Sequence, residues 1–186
     1  PPRSFRSDLR AIRIVWHRDL IRFWRYKPRM LASILQPVLY LFLFATGMGA
    51  VRPTGGLDLR VFLYPGVMAM STLFTCFFSA GSIVWDREFG FMREMLVAPV
   101  RRYAMVVGKA FGGATAGMVP GVIVLAMGPL VGVELTPLLV LVLLVELIVL
   151  AFAITSIGVL VAVRIKSFAA FMALVQVIIM PMFFLS

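Results

Sequence analysis

The stretch PLLVLVLLVELIVLAFAITSIGVLVAV, residues 137–163, carries one ionisable side chain, Glu146, in an otherwise almost wholly apolar run. A helix needs about 20 such residues to cross the hydrocarbon core of a bilayer. Lipid offers no partner to an open backbone N–H or C=O, so a run of this length has to close its hydrogen bonds within itself, as a helix. Residues 137–163 therefore read as a membrane span. Working outward, four more apolar runs appear, at about 30–50, 61–85, 104–133 and 168–186. The expected fold class is an all-α integral membrane protein with at least five transmembrane helices. The run 104–133 is rich in glycine and contains Pro120 and Pro129, and a kink is expected at Pro120.

Composition agrees. Hydrophobic residues make up 62% of the 186, with a mean hydropathy of +1.03, whereas soluble domains are about 45–50% apolar. One soluble core of this size cannot hide the excess. The net charge of +10 would in a soluble chain suggest nucleic acid, but here the cations fall between the apolar runs, and no nucleic-acid partner is expected. Segments 1–29, 86–109 and 164–166 hold nine, five and two Lys/Arg, against two in 51–60 and none in 132–137. Basic loops stay in the cytoplasm. The reading is a multi-pass protein of the cell (inner) membrane with a cytoplasmic N-terminus.

Residues 1–29 are too charged for a signal peptide and form an interfacial amphipathic helix instead. Phe5, Leu9, Ile12, Trp16, Leu20 and Phe23 recur at steps of three and four, with Trp24 beside them. These side chains, together with the aromatic rings' preference for the headgroup level, mark Phe5, Leu9, Ile12, Trp16, Phe23 and Trp24 as membrane-interface residues. Pro28 ends or bends the helix.

Catalytic chemistry is not visible. The pair Gly108-Lys109 has Tyr103 where a phosphate-binding loop needs its first Gly and Ala110 where it needs Ser or Thr. The chain is not expected to hydrolyse ATP. Cys76 is alone and reads as a small buried hydrophobe. His17 has no ligand companions, and no metal site is expected.

The segment DREFGFMREMLVAPVRR, residues 86–102, is too long and too patterned for a minimal turn. Phe89, Met92 and Leu96 share a helical face, while Arg87, Glu88, Arg93 and Glu94 are polar, and Pro99 closes the run. This describes a short amphipathic cytoplasmic helix with a docking surface. Extended to DREFGFMREMLVAPVRRYAMVVGKAFGG, the run resembles the signature of ABC-type-2 transporter permeases, the drug-resistance and polysaccharide-export class. The resemblance rests on Asp86, Arg87, Glu88, Gly90, Glu94, Leu96, Ala98, Pro99, Gly108 and Lys109, and on FLYPGVMAMS with Pro65-Gly66 at the start of the second span. Phe91 stands where many members have Thr.

The resemblance implies six spans in a complete member, of which this chain would hold five. It implies a dimer of permeases, or a pair with a paralogue, and separate ATPase subunits that bind ATP and Mg. It implies that 86–102 is the coupling helix, with Arg87, Glu88, Phe89, Gly90, Arg93, Glu94, Leu96, Pro99 and Arg101 as the ATPase-coupling residues. The expected function is the permease subunit of an ATP-driven exporter. The alternatives are a polysaccharide or glycolipid exporter, an ATP-independent secondary transporter, and a non-transporting scaffold.

Within the bilayer, Glu146 should face protein or water, because a charge at the centre of a span costs about 2.5–3.5 kcal/mol. It is a candidate for the substrate path with Phe74, Phe77 and Phe78. Few amphipathic aromatics line the runs, which favours drug-like or lipid-like substrates over sugars. Gly113, Gly117 and Gly121, with Gly108 and Gly112, read as close-packing positions. Lys109 is expected to snorkel to the headgroups.

Overall fold

The structure, a computed structural model, describes residues 5–47, 59–88 and 101–185. Every regular element among them is helical: α1 (Phe5–Arg25), α2 (Lys27–Gly47), α3 (Leu59–Ala80), α4 (Ser82–Glu88), α5 (Arg102–Ala126), α6 (Gly128–Val131), α7 (Pro137–Arg164) and α8 (Phe168–Leu185). The all-α class stands, and the apolar helices follow in the expected order. Three stretches are long and apolar enough to cross a membrane: Val61–Glu88, Tyr103–Ala126 and Pro137–Arg164. Met30–Leu43 and Phe168–Met180 are the shorter apolar helical stretches among the described residues.

The helix bounds correct three expectations. First, α1 and α2 meet at Tyr26, and the backbone ladder runs through, from Tyr26 N–H to Arg22 O and from Met30 N–H to Tyr26 O. Pro28 sits in the first turn of α2, where its missing N–H costs little. Second, α3 and α4 form one rod, because Gly81 N–H bonds Phe77 O and Trp85 N–H bonds Gly81 O. Residues 86–88 are thus the last turn of a span rather than the start of a separate helix. At 1.5 Å per residue the rod is roughly 42 Å long, about 12 Å more than the hydrocarbon core, so its charged end has room to project. Third, the glycine-rich run does not continue as one helix to residue 133: it is unbroken through Pro120 and is interrupted at Met127.

That break has a local cause. Pro129 has no N–H to offer the Leu125 carbonyl, and Gly132 closes α6 with φ 88°, a left-handed conformation natural to glycine. Tyr64, buried on α3, directs its hydroxyl to the last carbonyls of α5, at 3.0 Å from Val124 O, which also accepts the Met127 N–H, and 2.9 Å from Leu125 O. A tight link follows, and Thr136 then caps α7, its hydroxyl accepting Leu139 N–H at 3.3 Å ahead of Pro137.

α3, α5 and α7 form the bundle's centre. Its main core gathers Cys76, Phe77, Ala80, Ala114, Ala151, Val159 and Phe171. Glycines make this closeness possible. A Cβ on Gly117 would collide with Cys76 Sγ, and one on Gly121 would strike Leu147 and Thr72. α1 takes a second glycine face of α5, where a Cβ on Gly108 would lie 2.8 Å from Val15 Cβ and one on Gly112 would lie 2.9 Å from Asp19 Cβ.

Candidate functional site

The charged end of the α3–α4 rod carries Asp86, Arg87 and Glu88 in sequence. Each reaches a different part of the molecule, because successive helical residues point about 100° apart.

Asp86 faces inward. Its Oδ2 lies 2.7 Å from Lys109 Nζ on α5, and its Oδ1 accepts Arg22 Nη1 of α1 at 2.7 Å. Arg18 Nη2 stands 3.6 Å from Asp86 Oδ2 and 3.5 Å from Asp19 Oδ1. Lys109 also approaches Asp19 Oδ2 at 3.4 Å and donates to Ser82 Oγ at 3.0 Å. Three cations and two carboxylates thus form one network joining α1, α4 and α5. Lys109, Asp86 and Asp19 are buried, and buried charge survives only when paired and hydrogen-bonded. Lys109 does not snorkel to headgroups as expected, because Asp86 and Ser82 hold its ammonium inside.

Arg87 and Glu88 face the other way, towards the turn between α7 and α8. Arg87 Nη1 donates to Val163 O at 3.0 Å and Ile165 O at 3.3 Å, at the C-terminal end of α7. Glu88 Oε2 accepts the Phe168 N–H at 3.1 Å, at the first residue of α8. A cation at a helix C-terminus and an anion at an N-terminus both complement the helix dipole.

The segment 89–100 returns to the bundle at Arg101. Here Asp8 of α1 accepts the Tyr103 hydroxyl at 2.6 Å and lies 3.4 Å from Arg101 Nη1. The Arg101 guanidinium sits over the Tyr103 ring at 5.9 Å. The Tyr103 hydroxyl first, and the Asp8 carboxylate second, hold Arg101 further towards its protonated form than usual. α1 therefore grips both stems of the segment, Asp86 through Arg18 and Arg22, and Arg101–Tyr103 through Asp8. It runs beside α5 in the same direction, with Asp8 at Tyr103, Val15 at Gly108 and Asp19 at Gly112.

Of the nine coupling residues read from the sequence, Arg87, Glu88 and Arg101 make the contacts above. Phe89, Gly90, Arg93, Glu94, Leu96 and Pro99 lie outside the described residues. Among the interface residues, Leu9, Trp16 and Trp24 are exposed and Ile12 is half-buried. Trp16 also donates its Nε1–H to Thr115 Oγ1 at 3.1 Å. Phe23 is a correction: it is buried in the protein, not presented to lipid. The Phe5 side chain is outside the described residues. The inward stripe of α1 is Asp8, Ala11, Val15, Asp19 and Phe23, turned away from the purely apolar stripe because ion pairs draw both aspartates inward.

The aromatic path is also corrected. Phe77 is 1% exposed in the core, Phe74 packs against that core, and Phe78 is exposed. Phe77 and Phe78 lie about 100° apart on the helix, so the three do not share one open face. Glu146 is exposed on α7 and has no hydrogen bond or ion pair among the described residues. No three His, Cys, Asp or Glu among the described residues gather at metal-binding spacing.

Asp8, Asp19, Arg22, Ser82 and Tyr103 were missing from the sequence-derived site. One signal pointed to two of them. Asp8 and Asp19 are the only acids in the basic segment 1–29, about three helical turns apart and so on one face.

Residues 10–186 match the model of the ABC-2 type transporter family. The chain belongs to that family. The ABC-2 match covers every helix described above except the first residues of α1. The chain is 28% identical over 174 residues to the putative transport permease ycf38 of Cyanophora paradoxa, covering 91% of this chain and 60% of that protein. It is 25% identical over 120 residues to the inner membrane transport permease YadH of Escherichia coli K12, covering 63% of this chain and 47% of that protein. A ycf38 protein of Pyropia yezoensis is 29% identical over 109 residues, 56% of this chain and 37% of that one. The chain thus spans 60% or less of the length of these relatives. No solved structure matches it.

Proposed function

We propose that this ABC-2 chain is the membrane-spanning permease part of an ATP-driven exporter. In this reading separate ATPase subunits bind ATP and Mg and dock on the segment 86–102, with Glu94 and Pro99 at the contact. A second permease copy or a paralogue completes the membrane unit, and the N-terminus lies in the cytoplasm with both stems. The substrates are amphipathic, drug-like or lipid-like molecules taken from the cytoplasm or inner leaflet.

The observation that carries the reading is the anchoring of both stems of 89–100 on one helix. A solvated connecting loop has no need of a buried ion pair at one end and an Asp8 carboxylate holding Arg101 and Tyr103 at the other. A part that is pushed from outside does, because force applied to it must reach the spans without being lost in loose side chains. Here Asp86 passes displacement to α1 and α5, and Arg101–Tyr103 passes it to α1 again. An ATPase can bias two states of the permease only through contacts that differ between them, and these stems are where such contacts reach the membrane helices.

The test is a mild-detergent pull-down of the tagged full-length protein from its host, with ATP hydrolysis assayed on the eluate. A nucleotide-hydrolysing subunit that co-purifies, and is released by Glu94→Arg, is the expected result. A permease that purifies alone, with ion-driven flux in the absence of ATP, would overturn it in favour of a secondary transporter.

A further inference from the structure

The α7–α8 turn, residues 164–167, touches the α4 stem through three contacts. Arg87 binds the last carbonyls of α7 at 3.0 and 3.3 Å, Glu88 binds the first N–H of α8 at 3.1 Å, and the Trp85 ring meets Phe168 edge-on with centroids 5.0 Å apart. The geometry points to a role for Arg87 and Glu88 other than docking: they are positioning residues that make the α7–α8 turn move with the stem of the segment 89–100. The proposal rests on the coupling reading above and deepens it.

Three features support a mechanical link. The partners of Arg87 and Glu88 are backbone groups at helix ends, so a pull acts on the whole helix and not on one rotamer. The two contacts have opposite polarity and sit on opposite sides of one tight turn, so they fix its orientation as well as its position. Beneath them Gly81 lets the rods close, since a Cβ there would come within 2.9 Å of the Phe171 ring and 3.0 Å of the Phe168 ring. With Asp86 tied to α1 and α5, three consecutive residues distribute the motion of one segment to four other helices.

The link also explains what the acid-base-acid order does. Asp86 needs Lys109 and the α1 arginines, Arg87 needs a helix C-terminus and Glu88 needs a helix N-terminus. Exchanging Arg87 and Glu88 would set each against the wrong pole.

Spin-label distances test the proposal in the full-length permease with its ATPase subunits, reconstituted in nanodiscs. In a Cys76→Ala background, Arg13→Cys on α1 is paired with Lys166→Cys in the turn, and in a second sample with Val106→Cys on the other stem. Distances are read without nucleotide and with ATP, Mg and vanadate. Both pairs should shift in the unsubstituted chain. With Arg87→Met and Glu88→Ala the turn pair should lose most of its shift while the stem pair keeps its own. Arg87→Lys with Glu88→Gln, which retains a donor and an acceptor, should restore the turn's shift. A purely structural role would broaden both distances at rest and abolish both shifts, which would overturn the proposal. An undiminished turn shift in the Met/Ala chain would overturn it alone. Shifts absent from both pairs in the unsubstituted chain would overturn the coupling reading as well.

Discussion

Lys109 Nζ stands 2.7 Å from Asp86 Oδ2, with side chains 6% and 4% exposed. The pair joins two helices at positions 23 residues apart in sequence, and Arg22 of α1 completes it. Removing one partner of a buried pair costs about 3–5 kcal/mol, because the other charge is stranded. Asp86→Leu should therefore lower the heat stability of the purified protein by about that amount, with Lys109 left to Asp19 and Ser82. Adding Lys109→Met should recover part of the loss, since an apolar pair of similar volume is often neutral. A double substitution as costly as the two singles added together would show that the residues do not interact.

Gly117 and Cys76 test the core in the same manner. Any side chain at 117 meets the Cys76 sulfur, and overpacking a tight core costs about 1–3 kcal/mol. Gly117→Ala should reduce thermal stability within that range, while Cys76→Ala in the same chain should relieve the collision. The measurement is the temperature at which half the protein leaves the monodisperse peak on size exclusion. If Cys76→Ala gives no relief, the α3–α5 spacing is wider than described.

The architecture was legible in the sequence because lipid leaves so few options. Apolar runs of span length have to be helices. The glycine spacing on the third run correctly announced close approach, and the structure supplies the neighbours: Thr155, Cys76 and Leu147 on one face, Val15 and Asp19 on the other. Other features depended on partners that no local pattern names. Apolar periodicity placed Phe23 towards lipid, but the choice of inward face on α1 was made by Asp8 and Asp19 pairing with Arg101 and Lys109. Lys109 looked like a snorkelling residue because its acid partner is remote in sequence. Pro120 looked like the weak point of its span, yet the helix ends where Gly128, Pro129 and Gly132 cluster and the Tyr64 hydroxyl adds a donor to the last carbonyls.

Tyr103 offers a probe of the second stem. Its hydroxyl donates to a carboxylate, a class of hydrogen bond contributing about 1.5–3 kcal/mol. Tyr103→Phe should raise local opening at Arg101–Tyr103 by roughly tenfold or more, since 1.4 kcal/mol is a factor of ten. Limited trypsin digestion reads this directly through cleavage after Arg101. Local opening of this kind scales with the free energy of the region and leaves global stability almost unchanged. Cleavage at an unaltered rate would mean that the Arg101–Asp8 ion pair holds the stem unaided.

Glu146 calls for the opposite expectation. It is exposed on α7, and among the described residues nothing donates to it. Asp86 is costly to remove because partners depend on it, whereas Glu146 has no such partner among the described residues. Glu146→Gln should therefore change thermal stability by no more than about 0.5 kcal/mol, the usual range for substitutions away from such networks. Stability and export can then be separated: a fall in substrate flux at unchanged stability would belong to the carboxylate's own chemistry in the membrane. A lowered unfolding midpoint would instead reveal a structural partner for it, a second permease copy or a further span, and would remove Glu146 from the substrate path.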